Sequence, residues 1–275
     1  VSAALEGFDS FSFGSGGASR TVYTRGRGPG VVVMHEIPGI TPEVARFARI
    51  VADDGFRVYL PHLFGTPGKP LSTGYALGQI ARACISREFS VLARRESSPI
   101  TDWLRSLCRH AHDECGGPGV GAIGMCLTGN FALALMVDES VMAPVLSQPS
   151  LPFPLTRSRR AAIHVSDADL EVVRKRARQG CGVLGLRFTG DPMVPAERFD
   201  TLRRELGPGF EAVEIDSKPG NPHGLPRAAH SVVTTELVDE AGHPTRQALE
   251  RVLALFRERL RPGEGGAPAR PAQPS

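Results

Sequence analysis

Gly121-Ala122-Ile123-Gly124-Met125-Cys126-Leu127-Thr128-Gly129 reads as an apolar strand running into a small-residue turn, and the apolar run Phe131 to Val137 continues it as a helix. A cysteine between strand and helix sits on a sharp turn that exposes its tip beside the free N–H groups of the new helix. Those N–H groups favour thiolate over thiol and can hold a developing oxyanion. The competing reading of Cys126 is a buried, inert cysteine that behaves as a small hydrophobe. Gly124 and the strand-to-helix change weigh against it.

Outward from this turn the chain repeats the same alternation. Val31 to Met34, Phe56 to Leu60, Val120 to Ile123, Val141 to Val145, Val183 to Phe188 and Ala212 to Ile215 are short continuous apolar runs, with helical stretches between them. Continuous apolar strands alternating with helices imply a mostly parallel sheet covered on both faces, an α/β architecture. Ahead of it, Phe8 to Phe13 and Ser19 to Thr24 flank Ser15-Gly16-Gly17 as an antiparallel hairpin. Helices are expected from Pro42 through Ile50, and along the stripe Leu104, Leu107, Cys108 and Ala111. Two more follow: one through Val172, Val173 and Ala177 capped by Asp167 or Asp169, and one from Thr245 to Leu260. Residues 61–100 are broken by Pro61, Pro67, Gly68 and Pro70 and are expected to form a loop over the site, with a helix near Gln79 to Arg95. Residues 1–260 thus read as a single domain, and 261–275, rich in Pro, Gly and Ala, as a disordered tail.

Composition bounds the function. In 275 residues, 41% apolar and 22% charged, 32 Lys and Arg face 29 Asp and Glu for a net charge of +3. With no basic stripe interleaved with aromatics, no nucleic-acid partner is expected. The longest apolar run has seven residues, short of the roughly 20 needed to span a bilayer, so no membrane association is expected. Five cysteines without a C-x-x-C pair, and no signal-like opening segment, point to a reducing, cytoplasmic setting. Cys108, His112 and Cys115 share a helix face, but their spacing matches no tight zinc motif, so no metal is expected. The glycine stretches at 14–17 and 26–30 lack a phosphate-loop lysine and a dinucleotide spacing, and no cofactor is expected.

Two loops offer partners for the thiol. Phe188-Thr189-Gly190-Asp191-Pro192 places an acid just past a strand, and Pro219-Gly220-Asn221-Pro222-His223-Gly224 presents a histidine after the last sheet strand. The order Cys126, Asp191, His223 is that of a nucleophile-elbow hydrolase. In this reading His223 is the base, and Asp191 fixes its tautomer and steadies the imidazolium. His230, before an apolar alternation, is the reserve, and His243 is adequately explained as a helix cap or a surface residue.

Met34-His35-Glu36-Ile37-Pro38-Gly39, Pro61-His62-Leu63-Phe64-Gly65, Gly124-Met125-Cys126-Leu127, Gly190-Asp191 through Pro195, and His223 together resemble the dienelactone hydrolase family. The resemblance implies an α/β-hydrolase fold and a triad of Cys126, Asp191 and His223. It also implies a role for Glu36 in governing protonation of the thiol, and main-chain oxyanion donors at Ile37 and Leu127. One departure is Thr128, which stands where a small residue two past the nucleophile is usual. A second concerns the arginines that hold a substrate carboxylate: Arg227, four residues after His223, resembles one, and Arg82 and Arg87 lie in the stretch of the other. The expected activity is cysteine-dependent hydrolysis of small carboxylic esters or lactones through an acyl-enzyme. Transfer to another acceptor, thioester hydrolysis and a non-catalytic ligand-binding relative are the alternatives. A monomer is favoured over a dimer.

Overall fold

A computed structural model describes residues 2–85 and 99–262, with only the backbone path for 80–85. The expected Gln79 to Arg95 helix is seen in its first part, and the rest, like residues 263–275 of the expected tail, lies outside the described residues.

Eight strands form one sheet: β1 (Asp9–Ser15), β2 (Ala18–Arg25), β3 (Gly30–Met34), β4 (Arg57–Pro61), β5 (Val120–Met125), β6 (Val141–Ser147), β7 (Val183–Phe188) and β8 (Phe210–Ile215). Their spatial order is β1-β2-β4-β3-β5-β6-β7-β8. The β1–β2 and β2–β4 pairs are antiparallel and all others parallel. Gly16 and Gly17, both at positive φ, close the β1–β2 hairpin as a two-residue turn whose twist suits the strands it joins.

Eight helices are described: α1 (Pro42–Asp53), α2 (Thr73–Ile85), α3 (Pro99–Cys115), α4 (Phe131–Leu135), α5 (Arg157–Ala161), α6 (Asp167–Arg178), α7 (Ala196–Leu206) and α8 (Pro244–Leu260). Val44, Phe47, Ala48 and Val51 of α1 pack with Leu249, Val252 and Phe256 of α8 on one sheet face. Trp103, Leu104 and Leu107 of α3, Phe131 of α4, Val173 of α6 and Phe199 of α7 cover the other. The central strands β3 and β5 are apolar throughout because both of their sides are buried.

One helix start differs in detail from the sequence reading. Ser166, whose side chain accepts Asp169 N–H, caps α6 in place of Asp167 or Asp169, which instead supply negative charge to its first turn. For α8 the sequence reading agrees with the structure: the cap is His243, whose Nδ1 accepts Thr245 N–H.

The chain runs from β3 to β4 on one side and later returns to β5 on the other. The C-terminal ends of β3 and β5 therefore flank a crevice where strand order reverses, and ligand sites in open α/β sheets form at such points. Glu36 follows β3 by two residues, and Cys126 directly follows β5.

Candidate active site

Cys126 has φ 54°, a left-handed conformation that a side chain adopts only when its surroundings enforce it. The turn closes tightly enough that a Cβ at Gly124 would collide with the Thr128 carbonyl. Thr128 itself is accommodated. Its Oγ1 accepts Met125 N–H at 2.9 Å and lies 3.0 Å from the Met34 carbonyl oxygen, to which the hydroxyl can donate. The hydroxyl thus ties the elbow to the end of β3. The close approach that a small residue usually permits falls one position later: a Cβ on Gly129 would lie 2.5 Å from Pro149 Cα.

That contact belongs to the loop after β6, which is built around the thiol. Ser150 N–H donates to the Cys126 carbonyl at 3.0 Å, and Asn130 Nδ2 donates to the Leu151 carbonyl. Fully buried Arg198 donates to the carbonyls of Pro149 and Pro152, each at 2.6 Å, and of Ala162 at 2.9 Å. Burial brings its guanidinium down to about 10, opposed by the Asp191 charge.

Asp191 lies in the turn after β7, buried, with Oδ1 accepting Met193 N–H at 2.8 Å. Arg187 pins this turn by donating to the Val194 carbonyl at 2.6 Å while its Nε bonds Glu214 at 2.8 Å. The other oxygen, Oδ2, accepts Nδ1–H of His230 at 2.6 Å. His230 Nε2, on the opposite edge of the ring, lies 3.4 Å from Ser150 Oγ, which is itself 3.4 Å from Cys126 Sγ. Burial disfavours the imidazolium, but the Cys126 sulfur and the Asp191 carboxylate outweigh it and hold His230 well above the usual histidine range. By contrast, burial pushes the Cys108, Cys115 and Cys181 thiols up, where they stay protonated.

The histidine beside Asp191 is therefore His230 and not His223. His223 is exposed, with its ring against that of His243 at 5.2 Å between centroids. The reason is anchoring. Residues 219–224 contain no large apolar group to hold them on the sheet, whereas Ala229, Val232 and Val233 around His230 are fully buried. Those two valines lie in a turn. The buried apolar flanks were the signal in the sequence that favoured His230.

Glu36 is buried and occupied by neutral donors: Ser231 Oγ at 2.7 Å, Thr234 Oγ1 at 2.5 Å and Gln148 Nε2 at 3.1 Å. None of these residues was singled out in the sequence. Gln148, like Cys126, takes a positive φ, 36°, at the end of its strand. Ser231 N–H donates to Glu236 at 2.7 Å, and burial together with the Glu36 charge pushes the Glu236 carboxyl up.

The neighbouring motif residues have structural roles. The His35 ring lies 3.1 Å from the Glu36 carbonyl through Nδ1, and its Nε2 accepts Leu63 N–H at 3.0 Å. Burial lowers it to about 3, against the Glu36 carbonyl and with the help of His62. The ring is thus a neutral tie between the ends of β3 and β4.

Arg227 is exposed, and the position four residues beyond His230 is Thr234, bonded to Glu36. Arg82 lies on α2, where only its backbone is described, and Arg87 lies outside the described residues. Ile37 lies three residues past β3, and Leu127 lies in the one-turn segment Cys126–Thr128. Among the described residues no cluster of His, Cys, Asp and Glu could hold a metal, and no helix is long and apolar enough to cross a membrane. Cys108 belongs to the core, and Cys115 Sγ meets Tyr59 Oη at 3.3 Å.

A nucleophile-type elbow on an eight-stranded, mostly parallel sheet with helices on both faces defines an α/β-hydrolase fold. Within that class the chain belongs to the dienelactone hydrolase family, whose sequence profile matches residues 18–260, and it is a hydrolase. The Saccharomyces cerevisiae protein named "Putative carboxymethylenebutenolidase" is 25% identical over 196 residues, 70% of this chain and 69% of that protein. Among solved structures, "Putative Dienelactone Hydrolase from Klebsiella pneumoniae" superposes with a TM-score of 0.60 at 18% identity, covering 91% of this chain and 98% of the other. "Dienelactone Hydrolase-like Promiscuous Phospotriesterase P91", from metagenomic libraries, gives 0.56 at 18% identity, covering 92% and 98%.

Proposed function

We propose that the chain hydrolyses small carboxylic esters or lactones through an acyl-enzyme on Cys126, with His230 and Asp191 completing the triad. The observation that carries this reading is the 2.6 Å bond from His230 Nδ1–H to Asp191 Oδ2, which turns Nε2 toward the elbow cysteine. Asp191 thereby fixes the tautomer and stabilises the imidazolium.

The thiolate attacks the substrate carbonyl, and the oxyanion that develops is received by the Ile37 and Leu127 N–H groups. Collapse expels the alcohol, or the alkoxide arm of an opened lactone, which takes the proton from His230. Neutral His230 then removes a proton from water as that water attacks the thioester. The acid leaves, and the thiolate–imidazolium pair is restored.

The test is turnover of p-nitrophenyl acetate, small lactones and small thioesters by the purified protein, with Cys126→Ala beside it. Hydrolysis abolished in the variant and by prior alkylation is expected. Undiminished turnover in Cys126→Ala would remove the nucleophile and the mechanism with it.

A further inference from the structure

We infer that Ser150 is an additional catalytic residue, whose hydroxyl donates a hydrogen bond to the Cys126 sulfur and holds it as the thiolate paired with His230. This rests on the acyl-enzyme reading above. Ser150 is fully buried, and its Oγ lies 3.4 Å from Cys126 Sγ, 3.4 Å from His230 Nε2 and 3.0 Å from the Gln148 carbonyl oxygen.

The position is enforced. The Ser150 N–H is spent on the carbonyl of Cys126, Arg198 grips the preceding carbonyl, and Gly129 lets the backbone of Pro149 close on the elbow. A buried arginine bound to main-chain carbonyls is an expensive way to hold a loop. Here it fixes one hydroxyl against both members of the hydrogen-bonded pair that exchanges the proton, Cys126 and His230.

The exchange balances. The S–H bond of Cys126 breaks as its proton bonds to His230 Nε2, and the products are a thiolate and an imidazolium. The Ser150 hydroxyl keeps its own proton and donates it to the sulfur, so the thiolate ends hydrogen-bonded. Among the described residues, the titratable groups gathered around the pair are Asp191 behind His230, and Glu36 and Glu236 held through Ser231 on the histidine loop.

Two readouts separate this role from a packing role. Alkylation of Cys126 by iodoacetamide, followed peptide by peptide against pH, reports the thiolate without any substrate. Acylation by p-nitrophenyl acetate reports the chemical step. A hydrogen bond to a charged group contributes about 1.5–3 kcal/mol. In Ser150→Ala the alkylation midpoint is therefore expected to rise by about one to two pH units, and acylation to slow by about 10- to 100-fold. Ser150→Thr, which keeps the hydroxyl, should recover most of both.

Alkylation and acylation in Ser150→Ala both within about twofold of wild type would overturn the proposal, since a lost hydrogen bond of this kind exceeds that margin. Should the alanine variant not fold, Ser150→Gly, which also removes the hydroxyl, is read the same way, and alkylation and acylation both within about twofold of wild type overturn the proposal. If the wild type acylates with no ester, lactone or thioester, the functional reading fails, while the alkylation comparison still reads the effect of Ser150 on the thiol.

Discussion

Asp191 Oδ2 accepts the Nδ1–H of His230 at 2.6 Å across 39 residues of sequence, and the carboxylate is buried where water does not compete for it. In that setting the histidine keeps one tautomer and one orientation. Replacing His230 by alanine is expected to lower kcat/KM for a small ester by about 10³-fold or more. His223→Ala, on an exposed loop, should stay within about twofold. Steady-state kinetics on the two variants decide it, and the reverse ranking would return the histidine role to residue 223.

Thr128 predicts a stability effect at the elbow. Thr128→Val keeps the shape but leaves the buried Met125 N–H without its acceptor, so it should cost about 1–3 kcal/mol in urea unfolding. Thr128→Ser keeps the hydroxyl and should cost less than about 1 kcal/mol. Equal losses in both would mean that the methyl group, and not the hydrogen bond, holds the turn.

Glu36 gathers Ser231, Thr234 and Gln148 in a buried cage. Glu36→Ala leaves three donors without an acceptor and should destabilise by about 3 kcal/mol or more. Glu36→Gln retains one carbonyl acceptor and should cost less. A denaturation midpoint unchanged in Glu36→Ala would show that the cage contributes nothing to folding.

His164 predicts a pH dependence. It is buried at φ 57°, its Nε2 has no hydrogen-bond partner among the described residues, and burial beside Arg198 lowers it to about 4. The folded pKa lies below the unfolded one, so between pH 6.5 and about 4 the unfolded chain binds more protons. Stability is complete above 6.5 and falls as the pH drops through that window. His164→Asn, a residue that tolerates this backbone conformation, removes the ring and should reduce the loss by up to about 3 kcal/mol. His35 titrates lower still and keeps part of the slope in the variant. Urea unfolding at pH 7.5, 5.5 and 4.5 measures the difference, and an identical slope in wild type and variant would place the acid sensitivity elsewhere.

The sheet, its two helical coats and the elbow at Cys126 were legible in the chain because each depends on local pattern. Doubly buried strands must be apolar throughout, and a strand that turns sharply into a helix needs Gly124 where the backbone closes on Thr128. The turn carrying Asp191 was legible for the same reason, as a short acidic turn at a strand end. The histidine was not. Sequence favoured the loop that follows β8 most directly, but a catalytic side chain needs its backbone fixed, and the apolar residues around His230 can be recognised as anchors only once α1 and α8 supply the surface they pack against. Ser150, Gln148 and the neutral cage of Glu36 were likewise beyond the sequence, since each acts through partners 24 to 198 residues away. Local chemistry fixed which strand end carries the nucleophile. Which hydroxyls, amide and imidazole converge on it was decided by long-range packing.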